Sequence, residues 1–522
     1  MSLIPTDLGL PAKFVEFRPS QLRSSLDIAS DERRFSLLSA PTGVGKSLVY
    51  MAVSQMTSGR TLVLVGTKGL QKQLMADFAV TGMVDMRGQS NYHCRELRTS
   101  CELWDFSYCR LRHEEHGPVE CPYILARQAA CDADIVVTNY AYWMSINKYS
   151  DPTTLGVFDL IVLDEAHGAP DWLSGFCTIK IDEGKIRTLL RIKTPKVSDT
   201  PLRWSEWAAE VAIHASNRAT ELRAELKGDP NPSRAAREDV NYLSRLGRDL
   251  KELGASPDGQ WVVEDTRRGA NITPLWPQRF AERYLFRSIP NVVLCSATLS
   301  PSIAKYLGIG DNSHTYHEVR GGFKAARRPF TYVPTTRVDR RMVEGQVRMW
   351  INRIDAIVGE RLDRKGIIHT RSYARAKQVM ARSKHSDMML THDTRSTRAV
   401  VEAFKAADPP CVLVSPSIEE GFDFPYDECR YQILAKVPFV DGRSPLIKAR
   451  SADDKGYVKH LAAQTIVQQY GRGMRSADDM CETFMIDDHW RWFQKAGVFP
   501  GWFKHAWRTV KGRAPEPLPL DS

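Results

Sequence analysis

The chain has 522 residues, 43% of them hydrophobic and 26% charged. At roughly 150 residues per domain that length predicts three or four domains, and the composition excludes a chain disordered throughout. Lysine and arginine outnumber aspartate and glutamate by 72 to 62, a net charge of +10, which is a mild pointer to a polyanionic partner and nothing more. No apolar run reaches about 18 residues, so neither a membrane-spanning helix nor a membrane partner is expected. Pro5 and Asp7 stand where a signal peptide needs a basic patch and an apolar stretch, so a cytoplasmic location is expected. The ten cysteines should then be reduced.

Short apolar runs recur along the chain, each closed by a polar or glycine-rich turn. They are SLLS (36–39), TLVLV (61–65), DIVVT (134–138), DLIVL (159–163) and NVVLC (291–295), then GIIH (366–369), CVLVS (411–415), YQILA (431–435) and TFMI (483–486). They are apolar on consecutive residues rather than alternate ones, which predicts strands covered on both faces, as in a parallel sheet. Helical patterns separate many of them, so the expected class is α/β. One cluster of runs precedes residue 300 and the other follows residue 360, which reads as two lobes. Between DLIVL and NVVLC the period changes. Trp204, Ala208, Val211, Ala215, Ala219, Leu222 and Leu226 step by three or four, and after the break at 228–232 so do Ala236, Val240, Leu243, Leu246, Leu250 and Leu253. Ser233 can cap the second helix and Gly254 can end it. A helical hairpin of about 50 residues inserted in the first lobe is expected. The proline-bearing tail from Gly512 to Ser522 is expected to be disordered.

Three stretches carry chemistry. Ala40-Pro41-Thr42-Gly43-Val44-Gly45-Lys46-Ser47 lies between a strand and a helical pattern, the context of a phosphate-binding loop. Gly43 and Gly45 let backbone N–H groups turn inward, and the helix start adds its positive end. Lys46 can reach the β- and γ-phosphates of ATP and Ser47 can hold Mg²⁺. The run DLIVL ends in Asp164-Glu165-Ala166-His167. An aspartate at a strand's end can hold the metal shell, and the glutamate beside it can position and deprotonate the attacking water. Third, Gln468-Gln469-Tyr470-Gly471-Arg472-Gly473-Met474-Arg475 places two guanidinium groups three residues apart, suited to a γ-phosphate whose charge grows during transfer. Lying in the other lobe, it places ATP between the lobes.

The order of these motifs resembles a superfamily 2 helicase, and within it the DinG/XPD (Rad3-like) DNA helicases. Arg18-Pro19-Ser20-Gln21 resembles that group's adenine-side element, with Gln21 the candidate reader. Thr67 through Leu74 resembles motif Ia, Ser296-Ala297-Thr298-Leu299 motif III, Thr370-Arg371-Ser372-Tyr373 motif IV and Ser415 through Asp423 motif V; Lys436-Val437-Pro438-Phe439 resembles the segment after it, and the Gln468 run motif VI. The resemblance spans roughly residues 17–490. It implies an α/β fold of two RecA-like parallel-sheet lobes, with a small iron–sulfur domain and a helical arch inserted in lobe 1. It also implies Gln21, Thr42, Gly43, Val44, Gly45, Lys46, Ser47, Asp164 and Asp423 around ATP and Mg²⁺. Catalysis would fall to Lys46, Asp164, Glu165, Gln468, Arg472 and Arg475, and strand contact to Thr67, Thr298, Thr370 and Arg371.

Five cysteines crowd between residues 94 and 131. The segment from Met86 to Cys94 resembles the entry to the family's iron–sulfur domain, and Cys121-Pro122-Tyr123 its exit. The implied ligands of one [4Fe–4S] cluster are Cys94, Cys101, Cys109 and Cys121. Zinc and no metal remain as alternatives, though the close cysteine pairs of zinc ribbons are missing. Cys131 reads as a buried non-ligand, and His93 and His113 as surface residues. Arginines interleave with rings across 86–128, which suits single-strand binding or a small core packed on the cluster.

The implied activity is an ATP-dependent helicase moving 5′→3′ on single-stranded DNA, with forked or 5′-tailed duplexes as substrates in repair, replication or R-loop removal. An ATP-gated DNA-binding module with little unwinding, or an RNA-directed motor, would use the same motifs. A monomer is expected, nucleoid-associated if the source is bacterial or phage. The expected division assigns 1–84, 133–184 and 286–308 to the first lobe, 85–132 to the iron–sulfur domain, 185–285 to the arch, 309–510 to the second lobe and 511–522 to the tail. The chain departs from the family in its short length and short arch, in the absence of a nuclease-like domain before Arg18, and in Pro41 and Val44 of the phosphate loop.

Overall fold

A computed structural model describes residues 3–41, 43–94, 99–100, 121–150, 153–227, 233–256, 260–319, 324–418, 422–473 and 479–520. Two seven-stranded sheets dominate it. The first runs in the order His314–Glu318, Phe35–Ser39, Asn291–Ser296, Leu160–Asp164, Thr61–Val65, Ile135–Asn139, Val84–Asp85, with every neighbouring pair parallel. The second runs Met389–Thr391, Val412–Ser415, Gly366–His369, Tyr431–Leu434, Glu482–Asp487, Phe330–Thr336, Trp507–Thr509, also parallel throughout. Every residue of the strands Phe35–Ser39, Thr61–Val65, Gly366–His369 and Tyr431–Leu434 is buried. Helices cover both faces of such a sheet, so neither face needs a polar side.

The first sheet does not end at residue 308, where the sequence reading closes the first lobe. His314–Glu318 adds an edge strand beside Phe35–Ser39. All five of its residues are only half-buried, so it lacks the solid apolar run that marks the inner strands.

The inserted hairpin is formed by helices Pro201–Lys227 and Arg234–Gly254. Ser233 caps the second through Ala236 N–H, 3.2 Å from its Oγ. At its foot stands a three-stranded antiparallel sheet of Ile179–Asp182, Gly269–Pro274 and Trp261–Thr266, in stretches expected to belong to the first lobe (133–184) and to a purely helical arch (185–285).

The tail is ordered where described. Arg361 is fully buried and grips Glu482 with two hydrogen bonds of 2.9 Å, then donates a third to Pro515 O at 3.0 Å. Arg364 donates to Leu518 O at 2.8 Å, and Arg513 pairs with Glu360. Pro515, Pro517 and Pro519 lack an N–H, so the segment has more carbonyl acceptors than backbone donors, and buried guanidinium groups have donors to spare. That match overrides the compositional expectation of disorder. Among the described residues no helix is long and apolar enough to cross a membrane.

Candidate nucleotide site between the lobes

Strand register brings the motifs together. Ser39 lies opposite Ser296 and Cys295 opposite Asp164, so the phosphate loop, the Asp164-Glu165 turn and the Ser296 turn share one end of the sheet. Ligands in open parallel sheets bind at that carboxyl end.

The loop turns on Gly43 and Gly45, at φ of +78° and +82°. A side chain at Gly45 would also meet the Gln21 amide at 2.6 Å. Helix Lys46–Met56 starts directly after it, so its first N–H groups face the loop. Thr42 lies outside the described residues. Gln21 is buried and ties the loop down: its Nε2 donates to Val44 O at 2.7 Å and its Oε1 accepts from Arg18 N at 2.8 Å. Arg18 adds a bond to Gly43 O at 3.1 Å. In this structure Gln21 is therefore engaged with protein backbone at both ends of its amide.

Lys46 Nζ stands 3.3 Å from Glu165 Oε1. Burial pulls the ammonium toward discharge, but the carboxylates of Glu165 and Asp164 outweigh it and keep the charge on. Glu165 is pulled the opposite way from its neighbour. Burial works against its charge, yet Lys46 and a hydrogen bond from His167 hold its carboxyl well below the usual range. Asp164 is pushed up, by burial first and then by the negative charge of Glu165. Tyr50 donates to its Oδ2 at 3.3 Å, and Tyr140 to its backbone oxygen at 2.9 Å. Burial and the neighbouring charge raise one carboxyl while Lys46 and His167 lower the other, so the two adjacent groups are pushed apart. Glu165 sits at φ +50°, a left-handed conformation that costs a glutamate about 1 kcal/mol or more and turns its side chain out of the strand direction.

A chain of hydrogen bonds leads onward. Ser296 Oγ donates to Glu165 Oε2 at 3.1 Å and meets His167 Nδ1 at 2.8 Å. The same oxygen lies 3.3 Å from Thr298 Oγ1 and accepts from Thr298 N at 3.2 Å. His167 Nε2 meets the amide of Gln468, on helix Tyr457–Tyr470 of the second lobe. Lys46, Glu165, Ser296, His167 and Gln468 thus form one polar path across the gap.

The remaining candidates are placed as follows. Arg472 is buried, with Nη1 donating to Phe422 O at 2.7 Å; Arg475 lies outside the described residues. Asp423 is exposed. Thr67 is exposed and caps helix Lys68–Phe78. Thr298 is buried on Ser296. Thr370 is fully buried, its hydroxyl 3.3 Å from the carbonyls of Ser372 and Ser415, so it shapes the turn instead of offering an open contact. Arg371 stands at φ +54°. Ser47 is half-buried at the start of its helix.

The sequence reading names no role for Ser296, His167, Tyr50, Tyr140 or Arg18. Four carry a sequence signal: Arg18, His167 and Ser296 stand inside the motifs quoted above. Tyr50 lies one turn from Lys46 on the same helix face, and Ser296 ends a strand whose neighbour ends in Asp164.

Cys94 and Cys121 are both buried. Cys94 closes the short strand His93–Cys94, and Cys121 directly precedes helix Pro122–Asp132. Their chemistry suits thiolate ligation; Cys101 and Cys109 lie outside the described residues. Tyr92 packs edge-on against Tyr123 at 5.6 Å, whose hydroxyl is 3.1 Å from that of Tyr142. The Cys121 end of the segment is thereby fastened to the first lobe.

Comparison with known proteins agrees with this geometry. Residues 360–506 match the helicase C-terminal domain family, and residues 14–182 match the family described as type III restriction enzyme, res subunit. The ATP-dependent DNA helicase YoaA of Escherichia coli (strain K12) is 23% identical over 568 residues, covering 85% of this chain and 86% of that protein. Its namesake in Haemophilus influenzae is 23% identical over 197 residues, 27% of this chain and 31% of its own. A solved XPD helicase covers 95% of this chain and 100% of its own, with TM-score 0.61 at 14% identity. The S. tokodaii Xpd4 structure covers 94% of this chain and 100% of its own, with TM-score 0.57 at 16% identity.

Proposed function

We propose, from the premise that this chain is a DinG/XPD-like member of helicase superfamily 2, that it is an ATP-dependent DNA helicase moving 5′→3′ on single-stranded DNA. The observation that carries the reading is the polar path from Lys46 to Gln468. It couples the phosphate loop of one lobe to the helix before Arg472 in the other. Lys46 and the loop N–H groups take the phosphates, with Ser47 and Asp164 as holders of Mg²⁺, which would screen the charge that grows on the phosphates. Glu165 accepts the proton of the attacking water, and Ser296 and His167 orient its carboxylate. Gln468 and Arg472 sense the γ-phosphate from the second lobe, so turnover changes the gap between lobes and steps the strand. Such electrostatic preorganisation is the main resource of phosphoryl-transfer enzymes.

In this reading Cys94, Cys101, Cys109 and Cys121 hold a [4Fe–4S] cluster that shapes a small guide domain. A forked or 5′-tailed duplex is the substrate, the chain acts as a monomer, and repair, replication or R-loop removal is the setting. Polarity and cluster rest on the family resemblance.

The test combines ATPase and strand-displacement assays on 5′- and 3′-tailed duplexes. Lys46→Ala is expected to lower turnover at least 100-fold while DNA binding persists. Unwinding of the 5′-tailed duplex and not the 3′-tailed one is expected of the wild type. Wild-type turnover in the Lys46 variant would remove the nucleotide assignment, and robust ATPase without displacement would favour the clamp-like module.

A further inference from the structure

The carboxyl rim of the second sheet carries a second, cationic and aromatic construction outside the nucleotide site. Its centre is Asp487, fully buried at the end of strand Glu482–Asp487. Asp487 Oδ1 accepts from Val338 N at 3.1 Å and His489 N at 2.9 Å, and stands 2.8 Å from His489 Nδ1. Its Oδ2 accepts from Val437 N at 2.8 Å. One carboxylate therefore staples together the loops that follow three different strands.

Those loops present a particular set of side chains. Trp492 is 47% exposed. Phe439 packs against it tilted, at 5.9 Å, and His489 edge-on, at 4.8 Å between ring centroids, and the Arg337 guanidinium lies over the ring, 5.9 Å from its centre. An indole held in place by neighbouring rings and about half exposed can serve as a stacking platform. Lys436 is half-buried and, among the described residues, makes no hydrogen bond or ion pair. Burial first, then the positive charges of Arg375, Arg340 and Arg371, weaken its hold on its proton, while Asp487 is the carboxylate that opposes them. That carboxylate is already committed to three backbone N–H groups. Arg337 and Arg340 are exposed beside it. Asp441 faces Arg340 and Asp339 faces Arg375, but the cations still repel one another, and a polyanion's phosphates would relieve that repulsion.

We infer that this rim is a single-strand contact site, in which Trp492 stacks one base while Lys436, with Arg337 and Arg340, takes the adjoining phosphates. Phosphates alone would need the cations and not the ring; a flat base with a phosphate on each side needs both. Duplex DNA keeps its bases stacked inside and offers the indole no face. The inference rests on the motor reading above and adds to it a base-reading residue, Trp492, that no helicase motif contains.

The experiment measures fluorescence anisotropy of the full chain with labelled oligo-dT, an abasic oligodeoxynucleotide of equal length, and oligo-rU. Thermal midpoints serve as the control for folding. Trp492→Ala is expected to weaken oligo-dT binding about tenfold and abasic binding less than about twofold. Trp492→Phe, which keeps a ring, is expected to retain most of the affinity. Lys436→Ala is expected to weaken oligo-dT and abasic binding alike, and to reduce the slope of log Kd against log salt by about 0.7. If the wild type binds oligo-dT but Trp492→Ala weakens both DNAs equally, or neither, the platform is wrong while the motor reading stands. Tighter binding of oligo-rU than oligo-dT would overturn DNA as the occupant. A wild type that binds none of the three would overturn this inference and the motor reading together.

Discussion

Ser296 shows how much one hydroxyl can organise. It touches Glu165, His167 and Thr298 at once, so it fixes the carboxylate, the imidazole and its own turn. Hydrogen bonds to charged groups contribute about 1.5–3 kcal/mol, and a misplaced general base loses that much in the transition state. Ser296→Ala is therefore expected to lower kcat for ATP about 10- to 100-fold with KM for ATP changed little, read in a DNA-stimulated ATPase assay. An unchanged kcat would mean that Glu165 needs no support from this turn. The sequence makes Lys46, Asp164 and Glu165 legible because their chemistry is tied to neighbours in the chain. Ser296 and His167 appear in motifs too, but their roles depend on register between strands far apart in the chain. Thr370 reads as a strand contact from its motif, yet burial spends its hydroxyl on two carbonyls, and nothing local in the sequence announces that.

At the scale of elements, continuous apolar runs reveal the inner strands well. TLVLV and GIIH match strands Thr61–Val65 and Gly366–His369 residue for residue. Edge strands and the small antiparallel sheet escape, because half-buried strands such as His314–Glu318 carry polar residues on both faces. The hairpin is legible through its period, and its close packing has a specific cause. Gly247 and Gly254, seven residues apart on one face of helix Arg234–Gly254, sit against the facing helix. A Cβ at Gly254 would lie 2.7 Å from Ala209 Cα, and one at Gly247 2.4 Å from Ser216 Oγ. The Ala209 contact is backbone and cannot swing away. Gly254→Leu is expected to push the helices apart at a cost of about 1–3 kcal/mol, seen as a lower denaturation midpoint. An unchanged midpoint would show that the hairpin tolerates wider spacing.

Across the whole molecule, the two lobes meet in a buried polar seam as well as at the nucleotide gap. His460 lies in it, 3.4 Å from Ser300 Oγ and packed against the Tyr306 ring at 5.2 Å. Burial drives its pKa down to about 4, with Asp454 opposing the fall and His167 adding to it. A depressed histidine pKa means the unfolded chain binds the proton first. Stability from this group is full above about pH 6.5 and is lost progressively as pH falls toward 4, by at most about 1.4 kcal/mol per pH unit. His460→Asn is expected to flatten that part of a stability-against-pH curve. Arg450 is the stronger tie. It is 2% exposed on helix Pro445–Asp453, and it donates to Leu275 O at 2.7 Å, Ser174 Oγ at 2.6 Å and Tyr457 OH at 2.8 Å. Its guanidinium also lies 5.1 Å from the Trp276 ring centre. Ser174 belongs to helix Ala169–Phe176, which begins directly after the turn that carries Glu165 and His167. Any sliding of the second lobe therefore pulls on the element next to Glu165. Arg450→Ala strands a buried carbonyl and two hydroxyls without their donor, at about 2–4 kcal/mol, measurable in urea unfolding. If the seam transmits turnover, DNA-stimulated kcat should fall about tenfold while KM for ATP holds. Arg450→Lys, which keeps the charge but not the fork, should fall between. A variant that loses the stability but keeps full DNA stimulation would show that the lobes communicate through the His167–Gln468 contact without help from the seam.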